Sequence, residues 1–287
     1  GIYFINQTDY KSGLLFRYGI RYDDNRIGTD SEAFISLNKF NPSFGISYSL
    51  NDANNIYFSS GTSFETPTLN ELSNNPNSNG LNKNLNPSSS TNYEIGWRKT
   101  NSKLIFEAIA YLINTDNEIL PYELEQFPGK NFYRNVGSTR RYGIELSSQL
   151  LFSNGKLNLS YTNAKNTFNE FVLDGNDLKG LSLPGIPDQI LDIELIFNLS
   201  KRGTLIINNR LIGELFADNL NETQVSSYNL LNITYSKQIF NNSEIYLGVN
   251  NLLDVTYFDN IRINAFGKRY YEPAPNRNFH FGLNLSF

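Results

Sequence analysis

The last ten residues of the chain alternate strictly between large apolar side chains and small or polar ones. Phe279, Phe281, Leu283, Leu285 and Phe287 occupy every second position, with Asn, His, Gly and Ser between them. Because successive side chains of a β-strand point to opposite faces, this spacing puts all five apolar residues on one face. About ten residues is also the length of a tilted strand that crosses a bilayer. The sequence therefore predicts a terminal strand with one face suited to lipid.

The same alternation recurs upstream, and there the second face carries charges. Apolar residues two apart occur in the segments Phe16–Tyr22, Phe44–Leu50, Tyr93–Trp97, Tyr142–Leu146 and Leu191–Leu199. A soluble β-sandwich also alternates, so the period alone does not choose between the two architectures. Arginine and glutamate on the opposite phase of strand after strand favour lipid on one side and a water-filled lumen on the other.

Short turns and long polar loops follow each other in regular order. Short turns are predicted near residues 11–13, 51–54, 100–102, 153–155, 201–203 and 241–243, and long loops near 27–37, 65–89, 116–137, 169–186, 217–226 and 253–277. Tight periplasmic turns and large extracellular loops are typical of outer-membrane barrels. We therefore predict an all-β fold, an antiparallel transmembrane β-barrel with about 13 strands. Closed single-chain bacterial barrels normally have an even number of strands, so we expect residues 1–287 to be a single-domain portion of a larger barrel.

Composition excludes several other classes of protein. A net charge of −4 gives no basic surface for nucleic acid. The chain has no Cys and a single His, His280, which leaves no set of ligands typical of a zinc site and no recognisable nucleophile–base pair. We therefore predict no catalytic residue, no metal site and no cofactor, and we interpret His280 as a polar residue of the lumen.

Four further segments occur in a fixed order upstream of the terminal strand. They are Tyr57–Leu72, which ends in Pro-Thr-Leu-Asn-Glu-Leu; Asn84–Trp97, which contains Asn-Tyr-Glu-Ile-Gly; Asn135–Leu146, which ends in Arg-Tyr-Gly-Ile-Glu-Leu; and Val249–Tyr257, which contains Asn-Leu-Leu-Asp. Together with the terminal Phe287, they resemble the C-terminal barrel portion of TonB-dependent outer-membrane receptors. Ser88 departs from the family pattern, which usually has an acidic residue there.

The resemblance implies a 22-stranded barrel with a plugged lumen, in the outer membrane of a Gram-negative bacterium, that takes up a scarce nutrient. It implies four partners: the receptor's own plug domain, the TonB complex that acts through that plug, the barrel-assembly machinery and outer-membrane lipid. Phe287 would be the assembly signal. The plug itself does not lie within this sequence.

Two glutamates match family positions that face the lumen and pair with plug arginines. Glu94 and Glu145 both lie on the polar phase of their strands. A carboxylate–guanidinium pair is strong and bidentate, yet it can be broken if the plug must move. We predict that both contact the plug, and the alternative is that both are ordinary hydrated charges of the lumen.

Ligand capture is expected on the outer loops, because loops on a rigid scaffold carry recognition. Aromatic residues and arginines concentrate in two of them. The candidates are Tyr122, Phe127, Phe132, Tyr133 and Arg134 in one loop and Tyr257, Phe258, Arg262, Arg269 and Tyr271 in another. This chemistry suits an anionic, catecholate-like iron chelate through stacking and charge. The alternative for each aromatic residue is a place in the interfacial girdle or in packing between loops.

The sequence is compatible with two other functions. A receptor of the same family could carry cobalamin, haem, copper or glycans instead of a ferric siderophore. A 12-stranded autotransporter-type barrel has a similar length, would close on itself and would need no plug. An open-edged sheet would favour the receptor portion over that closed small barrel.

Overall fold

The computed structural model describes residues 1–29, 32–77, 80–200, 202–240 and 242–285, and almost all regular structure in them is β. In chain order the strands are β1 (Ile2–Asp9), β2 (Leu14–Thr29), β3 (Glu32–Asn51), β4 (Asn54–Glu65), β5 (Ser88–Thr100), β6 (Leu104–Asp116), β7 (Ile119–Glu123), β8 (Asn131–Asn135), β9 (Ser138–Phe152), β10 (Gly155–Glu170), β11 (Val172–Leu173), β12 (Asn176–Asp177), β13 (Gln189–Ser200), β14 (Gly203–Ile212), β15 (Leu215–Phe216), β16 (Gln224–Val225), β17 (Tyr228–Phe240), β18 (Ser243–Asn250), β19 (Phe258–Ile261), β20 (Tyr271–Pro273) and β21 (Asn278–Leu285). The other elements of this described part of the chain are one short helix, α1 (Leu69–Ser73), and one 3-10 turn (Phe266–Lys268). In these described ranges no helix has the length and apolar content needed to span a membrane.

Thirteen strands form one antiparallel sheet, in the order β1-β2-β3-β4-β5-β6-β9-β10-β13-β14-β17-β18-β21. This confirms the predicted strand number and the all-β antiparallel fold class. Within the described residues, β1 and β21 are the two edges of the sheet and do not pair with each other. The remaining strands form four two-stranded hairpins, β7–β8, β11–β12, β15–β16 and β19–β20, which lie in the long loops.

The two faces of the sheet differ as the alternation predicts. Ile95 is 60% exposed and faces Phe58 and Ala110 on the neighbouring strands, which extends an apolar row across the sheet. The next residue back, Glu94, faces Ser59 and Tyr111. We call these the apolar face and the polar face. The terminal strand follows the same rule, with the apolar residues of β21 between 52% and 76% exposed. Phe287 lies outside the described residues.

Four predicted turns, near residues 11–13, 51–54, 100–102 and 153–155, occur where the sequence predicts them, and asparagine side chains stabilise two of them. Residues 201 and 241 of the other two predicted turns lie outside the described residues. Asn101 accepts bonds from the backbone N–H groups of Lys103 at 2.9 Å and Leu104 at 2.8 Å. Asn51 accepts from the N–H of Ala53 at 3.0 Å in the turn between β3 and β4. Such contacts mimic a backbone turn, which is why asparagine favours these positions.

One predicted loop, residues 27–37, is wrong. The ladder between β2 and β3 continues through the pairs Arg26–Ser36 and Ile27–Ile35, so most of this segment is strand. Ile27 and Ile35 pack against a buried cluster formed by Leu72, Leu81 and Leu85. This contact buries apolar surface of the two isoleucines. The stabilisation that results explains why the two strands continue into a segment whose polar composition indicated a loop.

The other long loops pack into small cores above the sheet. Val136, Phe168, Phe171, Leu178 and Leu183 form one buried cluster, and Ala217, Val225, Ala265 and Tyr270 form another. The second cluster joins the loop 213–227 to the loop 251–277. The long loops therefore form a packed layer at one end of the strands.

Candidate functional site

The strands β2 to β6 and β9 line an open groove of about 660 Å³ in front of the polar face. Glu94 of β5 and Glu145 of β9 both line this groove. Only β6 separates their strands, and Glu145 faces Ile109 of β6 while Glu94 faces Tyr111. The structure thus brings the two predicted glutamates to one surface, in adjacent cross-strand rows.

Tyr57 fixes the position of Glu94. Its hydroxyl donates to Glu94 Oε1 at 2.7 Å and lies 3.4 Å from Glu107 Oε1. The ring reaches Glu94 by lying over Gly96, its direct partner on β5, where any Cβ would come within 2.3 Å of the ring. Sequence reasoning missed Tyr57, because only the strand register shows that a polar-phase tyrosine faces a glycine.

The charges around the groove are partly paired. Arg98 Nη2 lies 2.7 Å from Glu107 Oε1, and Arg141 forms an ion pair with Glu118. Neither Glu94 nor Glu145 forms an ion pair with a residue that the structure describes. Arg17 and Arg141 line the same groove, so its lining carries both signs of charge. The two carboxylates without an ion pair nevertheless face the space in front of the polar face, where they can pair with guanidinium groups of a partner.

The hairpin β7–β8 carries the first group of ligand candidates. The guanidinium carbon of Arg134 lies 3.7 Å from the centre of the Tyr122 ring, a close cation–π contact. Phe132 is only 1% exposed, so its ring belongs to the interior of the loop and has no surface for a ligand. Tyr133 packs against the buried cluster around Leu72. Ligand contacts by Tyr122, Tyr133 and Arg134 stay a prediction.

The aromatic candidates of the loop 251–277 are stacked on neighbours. Tyr257 lies 4.9 Å from the ring of Tyr228, and Tyr271 stacks on Phe258 at 4.4 Å. Burial raises the pKa of Tyr257 above its ordinary value of 10.0, and the nearby carboxylate of Asp259 adds to the effect. The phenol of Tyr257 is therefore neutral near neutral pH. Tyr271 is 41% exposed and offers an open ring surface.

The arginine candidates of this loop have carboxylate partners. Arg262 Nε lies 3.4 Å from Glu272 Oε1 within the loop. Arg269 Nη2 lies 3.3 Å from Glu123 Oε2, which belongs to the hairpin β7–β8. The structure thus joins the two candidate loops through Glu123, a residue that sequence reasoning did not single out.

The segment from Pro67 to Leu72 folds as a capped helix. Thr68 accepts from the N–H of Glu71 at 3.3 Å, and the Glu71 side chain accepts from the N–H of Thr68 at 2.7 Å. This reciprocal capping box begins α1. Leu72 then becomes fully buried, so the motif anchors the loop 66–87.

The Asn-Leu-Leu-Asp segment shapes the beginning of the last long loop. Asn251, 3% exposed, exchanges hydrogen bonds with the backbone of Val255 at 2.8 and 2.9 Å. Asp254 accepts from the N–H of Arg277 at 3.0 Å, which ties the two ends of the loop together. This motif positions the loop and its aromatic residues.

His280 has a structural place on the polar face. Its ring covers Gly248, the direct partner on β18, and lies 6.1 Å from the ring of Tyr246. Among the described residues, no group of three His, Cys, Asp or Glu side chains is arranged to hold a metal ion. His280 is thus a ring that fills the space above a glycine.

Comparison with known proteins adds the family. The profile described as "TonB dependent receptor-like, beta-barrel" matches residues 1–252. The fold is similar to the siderophore receptor PiuA from Acinetobacter baumannii, with 20% identity and a TM-score of 0.77 over 99% of this chain and 42% of that one. It is also similar to the ferric-catecholate import receptor Fiu from E. coli K12 (18% identity, TM-score 0.73, 99% and 44% of the two chains). The copper transporter OprC has 19% identity and a TM-score of 0.75, over 99% and 47% of the two chains. The chain therefore spans less than half the length of these structures.

Proposed function

The chain belongs to the TonB-dependent receptor β-barrel family, and on that premise we propose that it forms part of the wall of an outer-membrane receptor for active nutrient uptake. The observation that carries the proposal is the groove on the polar face, where Glu94 and Glu145 lie without an ion-pair partner among the described residues. The apolar face would contact outer-membrane lipid, and the packed layer of long loops would face the outside of the cell. The two open edges would pair with the remaining strands of the barrel.

The family match and the open edges argue against the autotransporter alternative. A 12-stranded translocation barrel closes on itself, whereas β1 and β21 are separate edges in the described part of the sheet. The receptor proposal includes a plug domain as the occupant of the lumen, the TonB complex acting on that plug, and the barrel-assembly machinery, for which Phe287 would be the recognition residue.

Glu94 and Glu145 are proposed to hold the plug through arginine side chains. Tyr57 already occupies one oxygen of Glu94, which orients the carboxylate toward the groove. Pairing across a wet lumen is reversible, because water can solvate both charges when the pair breaks. Contacts of this kind fit a plug that must rearrange during transport.

The proposed cargo is an anionic iron chelate, in particular a ferric siderophore. Arg134 and Tyr122 form a cation–π pair on the hairpin β7–β8, and Tyr271 presents an exposed ring on the loop 251–277. Guanidinium groups and aromatic faces bind planar anionic groups by charge and stacking. Similarity of fold to the receptors Fiu and PiuA supports this cargo, and similarity to the copper transporter OprC keeps a metal chelate of another kind as the alternative.

Growth on defined metal sources tests the cargo. A strain lacking the gene is grown under iron limitation with a catecholate, a hydroxamate, ferric citrate or haem as the single iron source, and complemented with wild type. We expect growth to be lost on one siderophore and restored by wild type. Arg134→Gln should restore it poorly, whereas Lys83→Gln, an exposed cation of another loop, should restore it fully. Normal growth of the deletion strain on every siderophore would refute the siderophore proposal.

The plug contacts are tested separately, in the same complementation. Glu94→Gln combined with Glu145→Gln should reduce transport while the receptor remains in the membrane at its normal level. Glu194→Gln is the matched control, because Glu194 accepts a bond from Asn158 at 2.6 Å on another part of the sheet, outside the residues that line the groove. Equal transport by the double variant and the control would contradict the plug-contact proposal.

A further inference from the structure

Two outer loops from distant parts of the sheet touch each other. The hairpin β7–β8 is carried by β6 and β9, and the loop 251–277 is carried by β18 and β21. The strands β10, β13, β14 and β17 lie between β9 and β18. At roughly 4.8 Å per strand, the loop bases are about 24 Å apart along the sheet. Between them, the two loops therefore cross this distance to reach each other.

Three contacts join the tips of these two loops. Asn264 Nδ2 donates to the backbone oxygen of Pro121 at 3.2 Å. The N–H of Phe266 and the Nη2 of Arg269 both donate to Glu123 Oε2 at 3.3 Å. Two of the three contacts thus depend on one carboxylate.

Glu123 is built into the hairpin as a buried acceptor. Its side chain is 2% exposed, and the N–H of Gly129 in the same hairpin donates to the same oxygen at 3.1 Å. A buried carboxylate is stable only while donors surround it, because it has lost its hydration. Arg269 is 52% exposed and lies on the solvent side of the pair. The loop 251–277 therefore supplies two of the three hydrogen bonds that satisfy Glu123.

We propose that Glu123 is a clasp that holds the loop 251–277 across the outer opening of the barrel, against the hairpin β7–β8. The proposal rests on the proposed function only in placing these loops at the entrance for the ligand. When the clasp is closed, the exposed ring of Tyr271 and the guanidinium of Arg269 are held at a fixed distance from Tyr122 and Arg134. When it opens, the entrance widens and Glu123 must find other donors. Glu123 is thus a positioning residue for the two loops.

Hydrogen exchange of the full-length receptor in detergent tests the clasp without any ligand. In Glu123→Gln the amide groups of residues 119–134 and of residues 262–270 should both exchange about tenfold faster or more, since the charge-assisted bonds of the carboxylate are lost. Glu272→Gln is the matched control, because Glu272 pairs with Arg262 inside the same loop and is 52% exposed. This control should leave exchange in residues 119–134 unchanged.

Two outcomes would overturn the clasp proposal. The first is unchanged exchange in residues 262–270 of Glu123→Gln, because Glu123 would then stabilise only its own hairpin. The second is an equal effect of Glu272→Gln on residues 119–134.

Arg269→Gln provides a second route if Glu123→Gln does not assemble. It should accelerate exchange in the same two segments. The double variant with Glu123→Gln should accelerate exchange by less than the product of the two single accelerations. Fully independent effects would contradict a shared clasp. None of these readouts depends on the identity of the cargo, so failure of the clasp and failure of the siderophore proposal are distinguishable.

Discussion

Replacing Gly96 with alanine tests whether the groove on the polar face depends on the ring of Tyr57. A Cβ at position 96 would lie 2.3 Å from Tyr57 Cζ and 2.5 Å from its hydroxyl oxygen. Carbon atoms in favourable contact are about 3.5–4.0 Å apart, so the ring must move by about 1 Å or more. Such a movement breaks the 2.7 Å hydrogen bond from Tyr57 to Glu94.

The size of the effect follows from two opposing contributions. A hydrogen bond to a charged group contributes about 1.5–3 kcal/mol. Alanine in place of glycine stabilises a strand by roughly 0.5–1 kcal/mol, because the unfolded chain has less conformational freedom to lose. The expected net loss for Gly96→Ala is therefore about 0.5–2.5 kcal/mol in the free energy of unfolding.

Gly45→Ala is the matched control. Gly45 lies on the polar phase of β3, and a Cβ there would meet its nearest atoms, the backbone oxygens of Phe58 and Arg17, at 3.9 and 4.0 Å. This is an ordinary contact, so only the stabilising contribution of alanine is expected. The difference between the two variants isolates the lost Tyr57 contact, about 1.5–3 kcal/mol.

The assay is denaturant unfolding of the full-length receptor in detergent, with Tyr57→Phe as a third variant that keeps the ring and removes the hydroxyl. Gly96→Ala should unfold at lower denaturant concentration than Gly45→Ala. Tyr57→Phe should be at least as destabilised as Gly96→Ala, because it removes the same hydrogen bond without the stabilising contribution of alanine. Equal midpoints for the two glycine variants would refute the reasoning.

Four further outcomes are expected. Leu72→Ala should remove about 2–5 kcal/mol of packing energy from the loop 66–87 and speed proteolysis of that loop. Leu69→Ala, at a position that is 47% exposed, should not. Equal cleavage of the two variants would contradict the role of Leu72 as a buried anchor. Ile95→Lys should destabilise the receptor by about 2–4 kcal/mol if the apolar face meets the middle of the bilayer, while Ser147→Lys on the polar face should be tolerated; the reverse order of the two midpoints would invert the assignment of the faces. Burial raises the pKa of Tyr270, and the Asp218 carboxylate adds to this effect, so folding favours the neutral phenol. The stability that Tyr270 contributes is complete below the ordinary pKa of 10.0 and is lost as pH rises through the raised pKa. An absorbance titration of Tyr270→Phe should lack one ionisation step above pH 10, and an unchanged titration above that pH would show that Tyr270 is accessible. The isolated chain should bind ferric siderophore only weakly, because the plug is expected to complete the site, and a micromolar dissociation constant measured by calorimetry would contradict this.

The strands and their faces could be predicted from the sequence because they depend on local spacing. A period of two fixes which side chains share a face whatever the neighbouring strands are, so it places Glu94 and Ile95 on opposite faces without any knowledge of strand pairing. Local composition also identified the turns, where asparagine side chains accept hydrogen bonds from backbone N–H groups two or three residues later. The prediction of a loop at residues 27–37 is wrong because it also depends on local composition. A polar composition indicates a loop there, but contacts with the distant cluster around Leu72 extend the strands.

The register and the loop contacts could be decided only by the tertiary structure. The partner of Tyr57 is Gly96, 39 positions further along the chain, and a shift of one residue would have put the ring on the other face. Phe132 and Tyr122 looked equivalent in the sequence, yet one is buried and the other holds a cation against its ring. The exposure of a loop side chain depends on which other loops pack against it, and a local sequence pattern cannot predict those contacts.

What the sequence by itself determined is thus the kind of surface that each strand presents, apolar on one side and charged on the other, together with ordered motifs that indicate the receptor family. What the tertiary structure decided is which of those charges meet. Glu94 and Glu145 share one groove because strand pairing aligns them, and Glu123 joins Arg269 because two loops cross about 24 Å of sheet. Such meetings depend on long-range geometry, in which residues distant in the chain become neighbours through the backbone hydrogen bonds of the strands between them.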